Sequence, residues 1–368
     1  MESTTYVQRI ARNYLQSMAP LPDDVAIAPE HLWGTRPDVL RDGLVALYGL
    51  MISLYQGVVN APKDLGTPLH PDALPRSGSR YTAAAQAVAA IPRLLYSLGL
   101  HGEAADIDGD AYLGVNGDDL ADHWRRAKVR NAQGLLEASG QFGLIAEPDP
   151  GVENALRVSH ADAPACALAL AAFARAARGV ARNDNEPPIA FCRGDMRLMA
   201  AAPGRKEPPV TVGDALRSLE GHRSETLRGL DALVTSLGYR AEPRCSSLNR
   251  GEWRASYRSP RLGKTLFSFV AEEGELTVRI MFNRTDRILP FIAACPDAVR
   301  GSFYASCTCA ACGQCESGPH RLVLDGALRR LCGYAWFQHA HVAPDEVAAL
   351  RMLIETQAQF LAADAQYG

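Results

Sequence analysis

At 368 residues with a formal net charge of −3, the chain is long enough for two or three domains and has no global drive toward nucleic acid or an anionic surface. Hydrophobic residues at 47% and charged residues at 21% exclude a disordered or fibrous chain. Met1-Glu2-Ser3 lacks the basic and apolar runs of a secretory signal, and nine cysteines without such a signal point to a reducing cytoplasm.

The first apolar pattern, Tyr6, Val7, Ile10, Tyr14 and Met18, has helical spacing. A second runs through Leu40, Leu44, Leu47, Met51 and Leu54. Its apolar core, Leu44 to Val59, is interrupted by Ser53, Gln56 and Gly57, so a buried helix is expected there and no membrane span. Gln56 to Ser79 shows little periodicity and carries four prolines. A loop of that length is often functional, and Asp64, His70, Arg76 and Arg80 make it a candidate ligand loop. Tyr81 to Leu98 reads as an alanine-rich helix with Pro92 as a kink point. Gly99, Gly140 and Gly238 each follow a helical pattern and read as helix stops.

From Asn116 to Ser159 the expected order is a short helix, a longer helix over Arg125 to Ser139, and two strands, 142–147 and 155–159. Helix, helix and β-hairpin in that order resembles a winged helix, over about residues 115–160. The resemblance implies DNA contact through the second helix and the hairpin. The matching positions are Arg125, Arg126, Lys128, Arg130, Asn131 and Gln133, with Arg157 on the wing. Winged helices also serve as protein-interaction domains. Ala161 to Ala177 reads as another helix. Residues 181–210, with Pro187-Pro188 and a polar run, read as a linker or exposed loop. The adhesion tripeptide Arg193-Gly-Asp195 is treated as coincidence in a cytoplasmic chain.

Val212 to Leu237 reads as one long helix. The period then changes to two. Glu252 to Arg258, Lys264 to Ala271 and Glu275 to Phe282 are expected as an antiparallel meander, with Leu276, Val278, Ile280 and Phe282 on one apolar face. Residues 240–264 carry seven basic residues against two acidic ones. Trp253 and Tyr257 alternate away from Arg254 and Arg258, a pattern that suits core on one side and solvent on the other.

Five cysteines fall between Cys307 and Cys332. Cys309-x-x-Cys312-Gly313 has the form of a zinc knuckle, in which two thiolates of one turn face one ion. Asp325-Gly326 between two short apolar runs signals a hairpin. A knuckle, a hairpin and Cys332-Gly333 resemble a zinc ribbon or treble-clef site over about residues 305–335, although Arg329 stands where a ribbon would place a cysteine. The expected ligands of a structural zinc are Cys309, Cys312, Cys315 and Cys332, with Cys307 as alternate and His320, His339 and His341 as weaker ones. Pro344 to Ala363 reads as a closing helix.

The expected fold class is α+β. A helical N-terminal domain, 1–180, contains the winged-helix-like unit. An α+β domain, 211–368, holds an antiparallel sheet, the zinc knuckle and the closing helix. No HExxH, GxSxG or GxGxxG motif is present. The favoured expectation is therefore a zinc-binding regulator of non-enzymatic type that contacts DNA or a protein partner. The alternative is a small-molecule sensor or enzyme with a pocket between the β region and the 61–80 loop, with zinc structural.

Overall fold

The computed structural model describes residues 5–65, 79–107, 110–183, 185–201, 206–283, 285–307, 320–324, 327–333 and 335–367. The fold is mixed helix and antiparallel sheet. It divides into two compact units. One comprises Met1–Pro209 and Leu248–Arg250; the other comprises Val210–Ser247 and Gly251–Gly368.

The first unit opens with α1, Tyr6–Ser17, α2, Pro37–Asn60, and α3, Ser79–His101. Strands β1, Gly102–Ile107, and β2, Asp110–Asn116, precede α4, Gly117–Arg126, and α5, Ala132–Ser139. Then come β3, Leu144–Pro148, β4, Ala155–His160, α6, Ala165–Arg178, and the short α7, Ile189–Cys192. Thr5 and Gln8 form a capping box at the start of α1.

Helix α6 is the centre of this unit. Its sequence is mostly alanine, so neighbouring backbones come close, and ten of its residues are buried. α2 and α3 both pack on it, and each brings a glycine. A Cβ at Gly43 would strike the Ala165 carbonyl oxygen, and one at Gly99 would lie 2.5 Å from the Ala174 Cβ. Gly99 is therefore a close-approach residue inside α3, which runs on to His101, rather than a helix stop. Likewise the chain passes Gly140 in a 3-10 turn and reverses only at Gly143, whose φ is +92°. α2 and residues 83–101 are long and apolar enough to cross a membrane by length and composition. The outer face of α2 nevertheless carries exposed Asp38, Arg41, Asp42, Ser53 and Gln56.

β1 and β2 were not legible in the sequence. They extend the expected hairpin into a four-stranded sheet of order β1-β2-β4-β3. The stretch expected as a linker is packed instead: Phe191, Met196, Leu198 and Met199 are buried. Arg193 and Asp195 are each 1% exposed, with the Arg193 Nε donating to the Ser17 carbonyl at 2.9 Å. The tripeptide they frame is therefore structural and not open to an adhesion receptor.

The second unit begins with α8, Val212–Arg217, and α9, His222–Ser236. These replace the single helix expected there, because Gly221 takes φ +54° and breaks it. Strands β5, Arg240–Ser247, β6, Glu252–Arg258, β7, Thr265–Glu272, and β8, Glu275–Phe282, follow. Next are α10, Thr285–Ala293, α11, Asp297–Cys307, β9, His320–Leu324, β10, Ala327–Leu331, β11, Ala335–Ala340, and α12, Val347–Tyr367. The main sheet has order β11-β8-β7-β6-β5, so β5 and β11 are its edges. β9 and β10 form a separate hairpin. Leu276, Val278, Ile280 and Phe282 are wholly buried, as are Tyr257, Phe267 and Phe337. α9 and α12 pack against the sheet.

Candidate functional site

Cys309, Cys312 and Cys315, three of the four expected zinc ligands, lie outside the described residues, as do His70 and Arg76 of the candidate ligand loop. Cys332 and Cys307 are described and adjacent: the Cys332 amide donates to the Cys307 carbonyl at 2.8 Å. Burial, with Cys332 nearby, pushes the Cys307 thiol up to about 12. Among the described residues no group of three or more His, Cys, Asp or Glu could hold a metal ion. Within the described residues the zinc expectation is therefore corrected: Cys307, Cys332, His339 and His341 are part of no metal-binding group there. His339 is committed elsewhere: its Nδ1 bonds Ser302 Oγ and its Nε2 bonds Glu346 Oε2, both at 2.9 Å. His341 pairs with Glu275 at 3.0 Å. His320 opens strand β9. Asp64 is exposed, in the turn after α2, and Arg80 falls in the first turn of α3.

The Ser302–His339–Glu346 chain has the order of an acid–base relay. Its surroundings make it structural. Ser302 is in the middle of α11, where the neighbouring amides are already used in helical hydrogen bonds and none is left to receive an oxyanion. Glu346 also accepts the Ala343 amide at 2.7 Å, capping the turn that leads into α12. The relay thus ties α11, β11 and the start of α12 together.

The expected DNA contacts do not converge. α5, the helix that would enter the groove, bears no basic residue, and Gln133 is bonded to Glu137 at 2.9 Å. Arg125 pairs with Asp122 on its own helix. Arg126, Lys128 and Arg130 lie in the last turn of α4 and the connection after it, exposed. Arg157 pairs with Asp149 at 3.0 Å and lies over the Tyr112 ring. It serves the sheet and the hairpin turn. Asp149, bonded to that guanidinium and to the Gly151 amide, is held below the usual carboxylate range. The expectation of DNA binding is thus corrected as well.

Another cationic surface is assembled by strand pairing. β5 and β6 are antiparallel, and the register sets Arg240 opposite Arg258 and Arg244 opposite Arg254. All four are exposed, and Glu242 lies between the two arginines of β5. The buried partners of the same strands, Trp253, Ala255 and Tyr257, point the other way, as the alternation predicts. Arg254 is held by Glu252 and Arg258 by the Gly263 carbonyl. No hydrogen bond or ion pair within the described residues engages Arg240 or Arg244. Like charges directly opposite on a sheet oppose folding, so these two pairs, flanking the Glu242–Ser256 row, form a face of net positive charge. β5 was not among the three expected strands: Arg240-Ala-Glu-Pro-Arg-Cys-Ser-Ser247 is polar and holds Pro243. Its strand state comes from β6.

No known family model, curated protein or solved structure matches this chain.

Proposed function

We propose that this is a binding protein whose second unit holds an acidic segment of a protein partner on the arginine face of β5 and β6. The carrying observation is the register that opposes Arg240 to Arg258 and Arg244 to Arg254. A folded sheet bears that repulsion at a cost of about 0.2–1 kcal/mol per pair. Carboxylates of a partner relieve it, and guanidinium groups bind them through paired hydrogen bonds. Pro243 removes a donor from edge strand β5, so recognition works through side chains across the face and not by addition of a strand.

The test uses the full chain and a fluorescent peptide rich in Glu and Leu, followed by anisotropy. Binding is expected at low ionic strength and is expected to weaken steeply once the screening length falls to about 10 Å near 0.1 M salt. Arg240→Glu/Arg244→Glu should lose at least about tenfold in affinity, while Arg125→Glu/Arg126→Glu should bind as the parent does. A double variant on β5 that binds the peptide unchanged would exclude this face.

A further inference from the structure

A second feature of the same unit points to a small molecule. α9 ends in a turn built for a sharp reversal. The Gly238 amide bonds the Thr235 carbonyl and the Tyr239 amide bonds the Val234 carbonyl, with Gly238 at φ +84°. This glycine-stopped turn folds Tyr239 back under the helix end. Between it, the β6–β7 loop and α12 lies an open groove of about 340 Å³, lined by Leu237, Tyr239, Leu262, Ala358 and Ala362, with Arg261 also on its wall. The groove exists because α12 presents alanines where larger side chains would fill the space. Its wall is mainly apolar. Its size is at the lower end of the ~300–1,000 Å³ range of small-molecule sites.

Two polar groups give the groove a chemical sense. Tyr239 is 4% exposed as a whole residue and lines the groove. Burial raises its hydroxyl above its ordinary pKa, so it remains a donor at neutral and mildly alkaline pH. Arg261 is exposed at the loop, and the segment Arg258-Ser-Pro-Arg-Leu-Gly-Lys264 holds three cations and no acid. A tyrosine hydroxyl on an apolar wall beside a cationic loop suits a ligand with an alkyl body and an anionic head.

We infer that this groove binds a medium-chain carboxylate, its alkyl chain against Leu237, Leu262 and the α12 alanines and its carboxylate near Arg261 and Tyr239. The site adjoins the arginine face through Arg258, but it uses neither Arg240 nor Arg244 and does not rest on the partner reading. Calorimetric titration of the full chain with sodium decanoate below its micellar concentration tests it. One saturable site per chain is expected. Ala362→Trp, which fills the groove from an exposed position, should abolish the heat of binding without changing the thermal midpoint. Arg261→Glu should weaken decanoate at least about tenfold and leave decanol within about twofold. Tyr239→Phe should weaken decanoate while the chain stays folded. Absence of saturable binding by the parent, full binding by a folded Ala362→Trp, or equal affinity for decyltrimethylammonium would each overturn the inference.

Discussion

His339 holds two partners at once, and both are needed. With the side chain 3% exposed, loss of Glu346 would leave a buried imidazole nitrogen and the Ala343 amide unsatisfied. Glu346→Ala should therefore cost about 1–3 kcal/mol in denaturant unfolding. Burial alone would raise the Glu346 carboxyl, but the Ala343 amide and His339 outweigh it and hold the group below its ordinary value. A depressed carboxylate stabilises the fold above its unfolded pKa of ~4.3 and loses that contribution as pH falls through the lower folded value. The parent should accordingly lose stability on acidification in that range, and Glu346→Ala should lose less. Identical acid profiles for the two proteins would rule out this linkage. Burial acts on thiols as well. Cys166 and Cys307, both pushed up to about 12, should resist iodoacetamide at pH 8 in the native state and react once the chain is unfolded. Mass spectrometry of the labelled chain checks this, and rapid labelling of Cys166 would contradict it.

Helix α2 shows how two glycines in one element serve opposite ends. Gly43 faces α6, and a Cβ there would meet the Ala165 carbonyl and sit 3.0 Å from the Ala169 Cβ. Because the obstacle is backbone, it cannot rotate away, and Gly43→Ala should destabilise by about 1–3 kcal/mol. Gly49 is exposed, and an added Cβ there meets nothing within 4 Å. Gly49→Ala should stabilise by about 0.5–1 kcal/mol, since only the helix-propensity term remains. Thermal unfolding of the two variants should move in opposite directions; a shift of the same sign would mean that the α2–α6 approach is looser than described. Legibility at this scale followed periodicity. β6 and most of β8 alternate, β7 is a near-continuous apolar run, and all three were readable. β1, Gly-Glu-Ala-Ala-Asp-Ile, has no alternating apolar set, and its strand state depends on its pairing with β2.

Across the whole molecule, a net charge of −3 hides local fields of opposite sign. If the arginine face exists for a partner, its repulsion is a stability cost retained for binding. Arg240→Glu/Arg244→Glu should then raise the unfolding free energy by up to about 1 kcal/mol per relieved pair, while removing peptide binding. Destabilisation by these substitutions would instead mean that the arginines are needed by the fold itself. The basic end of α4 gives the contrasting case: Arg125 is already paired with Asp122.

The sequence by itself determined the α+β class, the apolar faces of the central strands, the amphipathic helices and the separation of core from arginines along β6. All of these depend on residue spacing along one element. It also drew attention to cysteines 309, 312 and 315, which lie outside the described residues. Only the tertiary structure decided that Arg240 faces Arg258, that His339 belongs to Ser302 and Glu346, that Gly99 is a packing residue, and that Tyr239 and α12 line one groove. Each of those depends on strand register or helix approach between residues far apart in the chain, and register is set by the burial of whole faces, which no single stretch encodes.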